Sequence, residues 1–284
     1  MVVSESYKLM RRVSANTKTR RKRVELPQNP AGAEAAMSSL TEQLRLAGQV
    51  QRDFLPSYLP DNDRLRWAAI FLPAECVSGD IYDVARLDEQ HIGFYIADVV
   101  GHGMPAALLT IFIKQALVMR QTTGSSYRIF SPAEVMANLN LRMTDQKFSG
   151  NRFATCCYCL LNTATFELTY ARGGHPYPIL IRPRKKPRRL ETQGSLLGIF
   201  ENAKYTQQTI QLHIGDKLLL YSDGAESLIG SFDDAGSFNF TENFRRLTHL
   251  PIAEMTEKFN RLVQNQGLKP SGVDDITMVG LEIL

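Results

Sequence analysis

The period of apolar positions changes several times along the chain. From about Ala33, the residues Met37, Leu40, Leu44, Ala47, Gln51 and Phe54 recur at alternating spacings of three and four, a short heptad seam that should end near Leu55-Pro56. Such a seam serves either a helix packed on its own domain or a dimerising, signal-carrying stalk. Beyond it, runs rich in β-branched and aromatic residues predict strands at 65–76, 81–87, 92–98, 153–161, 166–172, 177–182, 205–212, 217–222 and 276–283. Helices are predicted from Pro105 to about residue 121 and over roughly 252–266. Another starts at Ser131-Pro132-Ala133-Glu134, where a serine N-cap precedes a glutamate at the third helical position. Short connections such as residues 162–165 and 213–216 favour antiparallel neighbours. The expected body, residues 57–284, is therefore α+β: stacked, mainly antiparallel sheets flanked by helices. Residues 33–56 form a linker or regulatory helix, and residues 1–32 a basic tail with little order.

Composition adds little, but charge distribution adds something. At 44% hydrophobic and 22% charged, the 284 residues suit one large globular core with an appendage. Residues 1–33 carry eight Lys/Arg and two Glu; removing their +6 from the total of +4 leaves −2 for the rest. The tail reads as a solvated extension rather than a nucleic-acid or membrane contact. The octet Arg182-Pro183-Arg184-Lys185-Lys186-Pro187-Arg188-Arg189 lies between two strand-like runs and reads as a basic hairpin. Cys156, Cys157 and Cys159 crowd one strand, where neighbours are poorly placed for a disulfide, and with Cys76 they read as thiols of a reducing compartment. No signal-peptide core follows Met1, and the apolar stretch 106–119 is too short to cross a bilayer and contains Lys114. A cytoplasmic protein with no membrane or nucleic-acid partner is expected.

The candidate chemistry lies in aspartates placed where apolar runs meet glycine-bearing turns. Asp80 stands in Val77-Ser78-Gly79-Asp80-Ile81-Tyr82-Asp83, Asp98 precedes Val99-Val100-Gly101-His102-Gly103, Asp223 follows Tyr221-Ser222, and Asp274-Asp275 opens the last strand. An aspartate after a strand is commonly a turn residue. Four on rigid supports, gathered by a folded sheet, would instead make a cage of hard oxygens suited to magnesium or manganese. Two such ions activate water for phosphoester hydrolysis. The chain has no Gly-x-Ser-x-Gly elbow, His-Glu-x-x-His or Walker loop.

These segments, with Gln49-Val50-Gln51-Arg52-Asp53-Phe54-Leu55-Pro56, Gly103-Met104-Pro105-Ala106-Ala107, Phe153-Ala154-Thr155, Ala171-Arg172-Gly173-Gly174-His175-Pro176, Gly215-Asp216, Tyr221-Ser222-Asp223-Gly224 and Asp274-Asp275-Ile276-Thr277, resemble the metal-dependent protein phosphatase 2C-like (PPM) family. More narrowly they resemble its bacterial SpoIIE/RsbU-type branch, over roughly residues 45–284. The resemblance implies a four-layer α-β-β-α sandwich with a two-ion Mn²⁺ or Mg²⁺ centre at one end of the sheets. It implies dephosphorylation of phosphoserine or phosphothreonine, usually on a small STAS-type anti-anti-sigma factor in a partner-switching pathway, without a phosphoenzyme. By motif, Asp98 would bridge the metals with the Val99 carbonyl as a further ligand. Asp223 and Asp274 would complete one metal shell, and Asp80 would serve the other. Asp98, Asp223 and Asp80 are thus the catalytic candidates.

Three positions depart from the branch's pattern: Ser78 and Gly173 replace residues usual before their glycines, and Val100 stands where serine is common. If Ser78 needs φ > 0, the strain would be on the order of 1 kcal/mol and would slow metal capture. That, together with the regulatory-looking helix, motivates an alternative, a weakly active or inactive binding or scaffold module on the same fold. His102 reads as a general acid or a turn-fixing residue, His175 as structural, Asp83 and Asp216 as turn or supporting residues, and Trp67 as core. Asp275 competes with Asp274 as ligand. Control is expected from a regulatory protein partner or from a homodimer through helix 33–56.

Overall fold

The computed structural model describes residues 30–150, 152–265 and 274–284; most of the expected basic tail lies outside them. A 24-residue helix, α1 (Pro30–Asp53), opens the described chain. Next come β1 (Leu65–Leu72), β2 (Asp80–Arg86), β3 (His91–Val99), α2 (Met104–Ala116), β4 (Arg120–Thr123), β5 (Ser126–Ile129) and α3 (Pro132–Asp145). They are followed by β6 (Ala154–Asn162), β7 (Glu167–Gly173), β8 (Ile179–Ile181), β9 (Arg188–Arg189), β10 (Gln207–Gln211) and β11 (Lys217–Tyr221). A 3₁₀ turn at Asp223–Ala225 then leads to α4 (Glu226–Ile229), β12 (Gly230–Phe232), β13 (Phe238–Phe240), α5 (Glu242–Leu247), α6 (Ile252–Asn265) and β14 (Ile276–Ile283).

Ten strands form two five-stranded antiparallel sheets, ordered β1-β14-β11-β8-β9 and β10-β7-β6-β3-β2. Trp67, Phe94, Ile96 and Leu220 fill the space between them. Ile113 of α2 and Leu139 of α3 cover the outer face of the second sheet against Tyr95 and Tyr158. Met255 and Phe259 of α6 cover the first. The result is the expected α-β-β-α sandwich. Its central strands are buried on both faces, which is why β6 and β14 read as nearly unbroken apolar runs rather than alternating ones. Within β6, Cys157 and Cys159 point between the sheets and Cys156 toward α2 and α3. Burial pushes the Cys156 and Cys159 thiols well above their usual range.

Several element boundaries differ from the sequence reading. The helix expected to reach residue 121 stops at Ala116, and 120–129 form a separate hairpin. That hairpin is mostly exposed and so carries no apolar alternation. The first strand ends at Leu72 rather than 76, because the following segment turns back toward α1. Short elements at 230–232, 238–240 and 242–247 were not expected. The cap of α3 is as anticipated, with Glu134 Oε2 accepting from the Ser131 N–H at 2.9 Å.

The heptad seam of α1 divides in two. Leu44, Ala47, Gln51 and Phe54 turn toward the body, whereas Met37 and Leu40 are exposed. The contact is close: a Cβ at Gly48 would lie 1.9 Å from the Cys76 carbonyl oxygen. One turn on, buried Gln51 grips the main chain of Ser78, donating to its carbonyl (2.7 Å) and accepting from its N–H (2.9 Å), and also donates to Thr110 Oγ1 (2.9 Å). In an unpacked helix Gly→Ala stabilises by ~1 kcal/mol. Here Gly48→Ala is expected to do the opposite, lowering stability in urea titration by about 1–3 kcal/mol as α1 is forced off the 76–78 segment.

Candidate metal centre

Strand register places the first two aspartates. Asp80, the first residue of β2, is the cross-strand partner of Asp98 near the end of β3. In the facing sheet, β11 ends at Tyr221 opposite Met278 of β14, so Asp223, just past β11, and Asp274-Asp275, just before β14, emerge at the same end. Gly224 permits this approach, since a Cβ there would meet the Asp275 carbonyl oxygen at 2.2 Å. The four sequence-selected aspartates are thus brought to one mouth.

Asp274 and Asp275 are separated by what they touch. Asp275 is buried; its Oδ1 accepts from the Ala74 N–H (2.7 Å) and its Oδ2 from the Gly79 N–H (2.6 Å). Both oxygens are therefore engaged in tying the lead-in to β2 onto β14. Asp274 is exposed, and its charge acts on Asp98 and Asp223. Gly79 lets the loops close. A Cβ on it would stand 3.1 Å from the Val99 carbonyl oxygen and 3.2 Å from that of Gly101, and its own carbonyl accepts from the Val99 N–H at 2.9 Å. Ser78, the departure of most concern, is absent from the residues with positive φ; its Oγ accepts from the Asp80 N–H at 3.0 Å. The strain proposed for it is therefore absent.

Burial raises the Asp98 carboxyl well above its ordinary range, and the charges of Asp80, Asp223 and Asp274 raise it further. Burial, then Asp275, does the same to Asp80, although the Thr277 and Ser222 hydroxyls lie close enough to oppose the shift. Even so, Asp80 Oδ2 is buried without a well-formed hydrogen bond. Asp223 is pushed up to about 6 by burial and by Asp274 and Glu226. Inward-facing carboxylates with an orphaned oxygen fit a hard divalent cation. They do not form a closed shell: among the described residues no group of three or more His, Cys, Asp or Glu stands close enough to hold an ion alone. Magnesium-type sites commonly use one or two carboxylates and keep several waters, so this open arrangement suits them.

Of the histidines, His102 stands near enough for its charge to act on Asp274. His175 is buried, with Nδ1 2.8 Å from Thr155 Oγ1, and burial together with the Arg172 charge lowers it to about 3, so the ring is neutral. Its carbonyl accepts from Arg172 at 2.5 Å. His102 is exposed on the rim, 3.4 Å from Glu75. Asp83 lies in β2 and pairs with Lys114 at 2.7 Å rather than in a turn, whereas Asp216 takes the turn position expected, accepting from the His213 N–H. Trp67 is core. The Gln51 and Asp275 contacts were missed, because they join residues 27 and 196–201 positions apart.

The raised carboxyls fix a sign for pH dependence. The folded chain keeps protons that the unfolded chain releases from about pH 4 upward, so stability without metal should fall as pH rises through the window from 3.8 to about 6 set by Asp223. Asp80 and Asp98 extend the decline to higher pH. Calorimetry of metal-free protein should show Tm dropping several degrees between about pH 5 and 7, the size of a change of ~2 kcal/mol. Mn²⁺ should restore it, and Asp223→Asn should flatten the slope.

Comparison with known proteins follows the same lines. A family model described as "Stage II sporulation protein E (SpoIIE)" matches residues 88–284. Phosphoserine phosphatase RsbU of Bacillus subtilis (strain 168) is 33% identical over 186 residues, 65% of this chain and 53% of that one. The chain thus spans about half the length of this curated relative. Among solved structures, the SiaA-PP2C domain of Pseudomonas aeruginosa superposes with a TM-score of 0.70 at 21% identity, covering 88% of this chain and 99% of the other. RsbX in complex with magnesium gives 0.58 at 17%, covering 80% and 99%. These two likenesses establish the fold alone. The family model takes in four of the five strands of each sheet and the acidic mouth from Asp98 onward, and the chain belongs to the SpoIIE family.

Proposed function

We propose that the chain is a metal-dependent serine/threonine protein phosphatase that hydrolyses phosphoserine on a regulatory protein, a STAS-type anti-anti-sigma factor in a partner-switching pathway. The observation that carries this reading is the Asp80–Asp98 register pair, facing Asp223 and Asp274 across the sheets with an orphaned carboxylate oxygen. The likeness to RsbU, a phosphoserine phosphatase, supports it.

Asp80, Asp98, Asp223 and Asp274, with the Val99 carbonyl, would hold two Mn²⁺ or Mg²⁺ ions; RsbX, solved with magnesium, supports the choice of metal. When bound, the ions supply positive charge for phosphoryl oxygens and lower the pKa of an attacking water. The chain's own residues set the stage. Asp275 and Gly79 hold the β2 lead-in against β14, so that Asp80 and Asp98 meet the opposing acids. Thr155 Oγ1, 3.5 Å from the Asp98 carbonyl, links that strand end to neutral His175 and the Arg172 wall.

Two contacts support regulation through α1. Gly48 and Gln51 couple the helix to Cys76 and Ser78, two to four residues before Asp80, while Met37 and Leu40 remain exposed for a partner or second copy.

Two measurements bear on these readings. Phosphate release from phosphorylated STAS proteins should require Mn²⁺ or Mg²⁺, cease on chelation, and fall by at least ~10²-fold in Asp98→Ala and Asp223→Asn. Turnover at wild-type level in both variants would remove the proposed site. Light scattering should show concentration-dependent dimers that Leu40→Asp abolishes; a monomer at every concentration would count against self-association.

A further inference from the structure

Asp98 and Asp223 of the acid cluster, with Glu226, line a cavity of about 320 Å³ whose wall also includes His175, Tyr177, Arg189 and Lys204. Cavities of ~300–1,000 Å³ hold ligands of many atoms, so this one has room for more than a phosphoryl group. Its far end is built around Arg189. The guanidinium carbon lies 4.5 Å from the centroid of Tyr177, 4.8 Å from that of Phe232 and 4.6 Å from that of Phe238. Rings stacked on a guanidinium fix its position and leave its N–H edge for an acceptor in the plane. Arg189 Nε is buried without a hydrogen-bond partner, an unfavourable state that a ligand oxygen would relieve.

Arg172 sits on the same Tyr177 ring at 4.2 Å but donates to the His175 and Thr192 carbonyls, so it is part of the wall. Outward from Arg189, the β8–β9 hairpin exposes Arg184, Lys185, Lys186 and Arg188. The cavity is therefore acidic at one end, where cations and phosphate would sit, and basic at the other.

We propose that Arg189 determines specificity by binding a carboxylate side chain that flanks the substrate's phosphoserine, and that the hairpin cations extend this preference to an acidic stretch of the substrate protein. The proposal rests on the phosphatase reading and names the sequence chemistry that reading leaves open.

The test uses the Mn²⁺-loaded 284-residue chain and two phosphoserine peptides, one with Asp and Glu beside the phosphoserine and one with Ala in their place, with a Lys-flanked third for the charge-reversal variant. Wild type should favour the acidic peptide about tenfold in kcat/KM, mainly through KM, as loss of one charge-assisted contact implies. Arg189→Gln should bring the ratio to within about twofold of unity, and Arg189→Lys, which keeps the charge but not the planar fork, should fall between. Arg189→Glu should invert the preference toward a Lys-flanked peptide. An unchanged ratio in Arg189→Gln overturns the proposal. So does an equal loss on p-nitrophenyl phosphate, which would place Arg189 on the phosphoryl group. Wild-type turnover of p-nitrophenyl phosphate with equal rates on both peptides overturns the Arg189 assignment alone. Absence of turnover on every substrate overturns the phosphatase reading beneath it.

Discussion

Two main-chain hydrogen bonds to a single carboxylate decide where the acidic mouth forms. Asp275 stands at the entry to β14 in one sheet, and the amides it binds, Ala74 and Gly79, belong to the lead-in to β2 in the other. Bonds from amides to an ionised carboxylate are among the stronger ones in a protein, especially where water is excluded. This clamp joins the sheets at the end where their aspartates would otherwise push them apart. The Gly79–Val99 bond carries the constraint to β3, so Asp80 and Asp98 are held together.

Held this way, the mouth is a deliberate conflict. Each of Asp80, Asp98 and Asp223 is driven toward its neutral form first by burial and then by neighbouring carboxylates. Nothing in the packing of the sandwich requires such an arrangement, and the apolar layers on either side supply the stability that tolerates it. Local rules are broken at functional sites more than elsewhere. The caged guanidinium at the other end of the cavity belongs to the same category, with opposite charge.

Much of this was legible in the sequence, for physical reasons that also mark the limit. Strands covered on both faces announce themselves as apolar runs, and an aspartate at the end of such a run beside glycine is conspicuous; hence Asp80, Asp98 and Asp223. Asp274 and Asp275 are neighbours with the same side chain, so only long-range partners tell them apart. Gln51 occupies a seam position where a polar residue looks like an interruption, and its partner on Ser78 is 27 residues away. The 120–129 hairpin pairs polar, exposed strands, which leaves no periodicity to read. The basic octet was visible as a hairpin. That Arg189 turns inward, onto rings from Tyr177, Phe232 and Phe238, depends on packing between segments some forty to fifty residues apart.

The thiols of β6 carry a consequence for chemistry at the mouth. Thiolate, not thiol, is the form that oxidants and alkylating agents attack, and burial holds Cys156 and Cys159 in the protonated state within the sandwich. The hydrolysis proposed for the carboxylates needs no sulfur nucleophile. Peroxide should leave those two side chains untouched for as long as the facing sheet stays closed over Cys159 and helices α2 and α3 over Cys156.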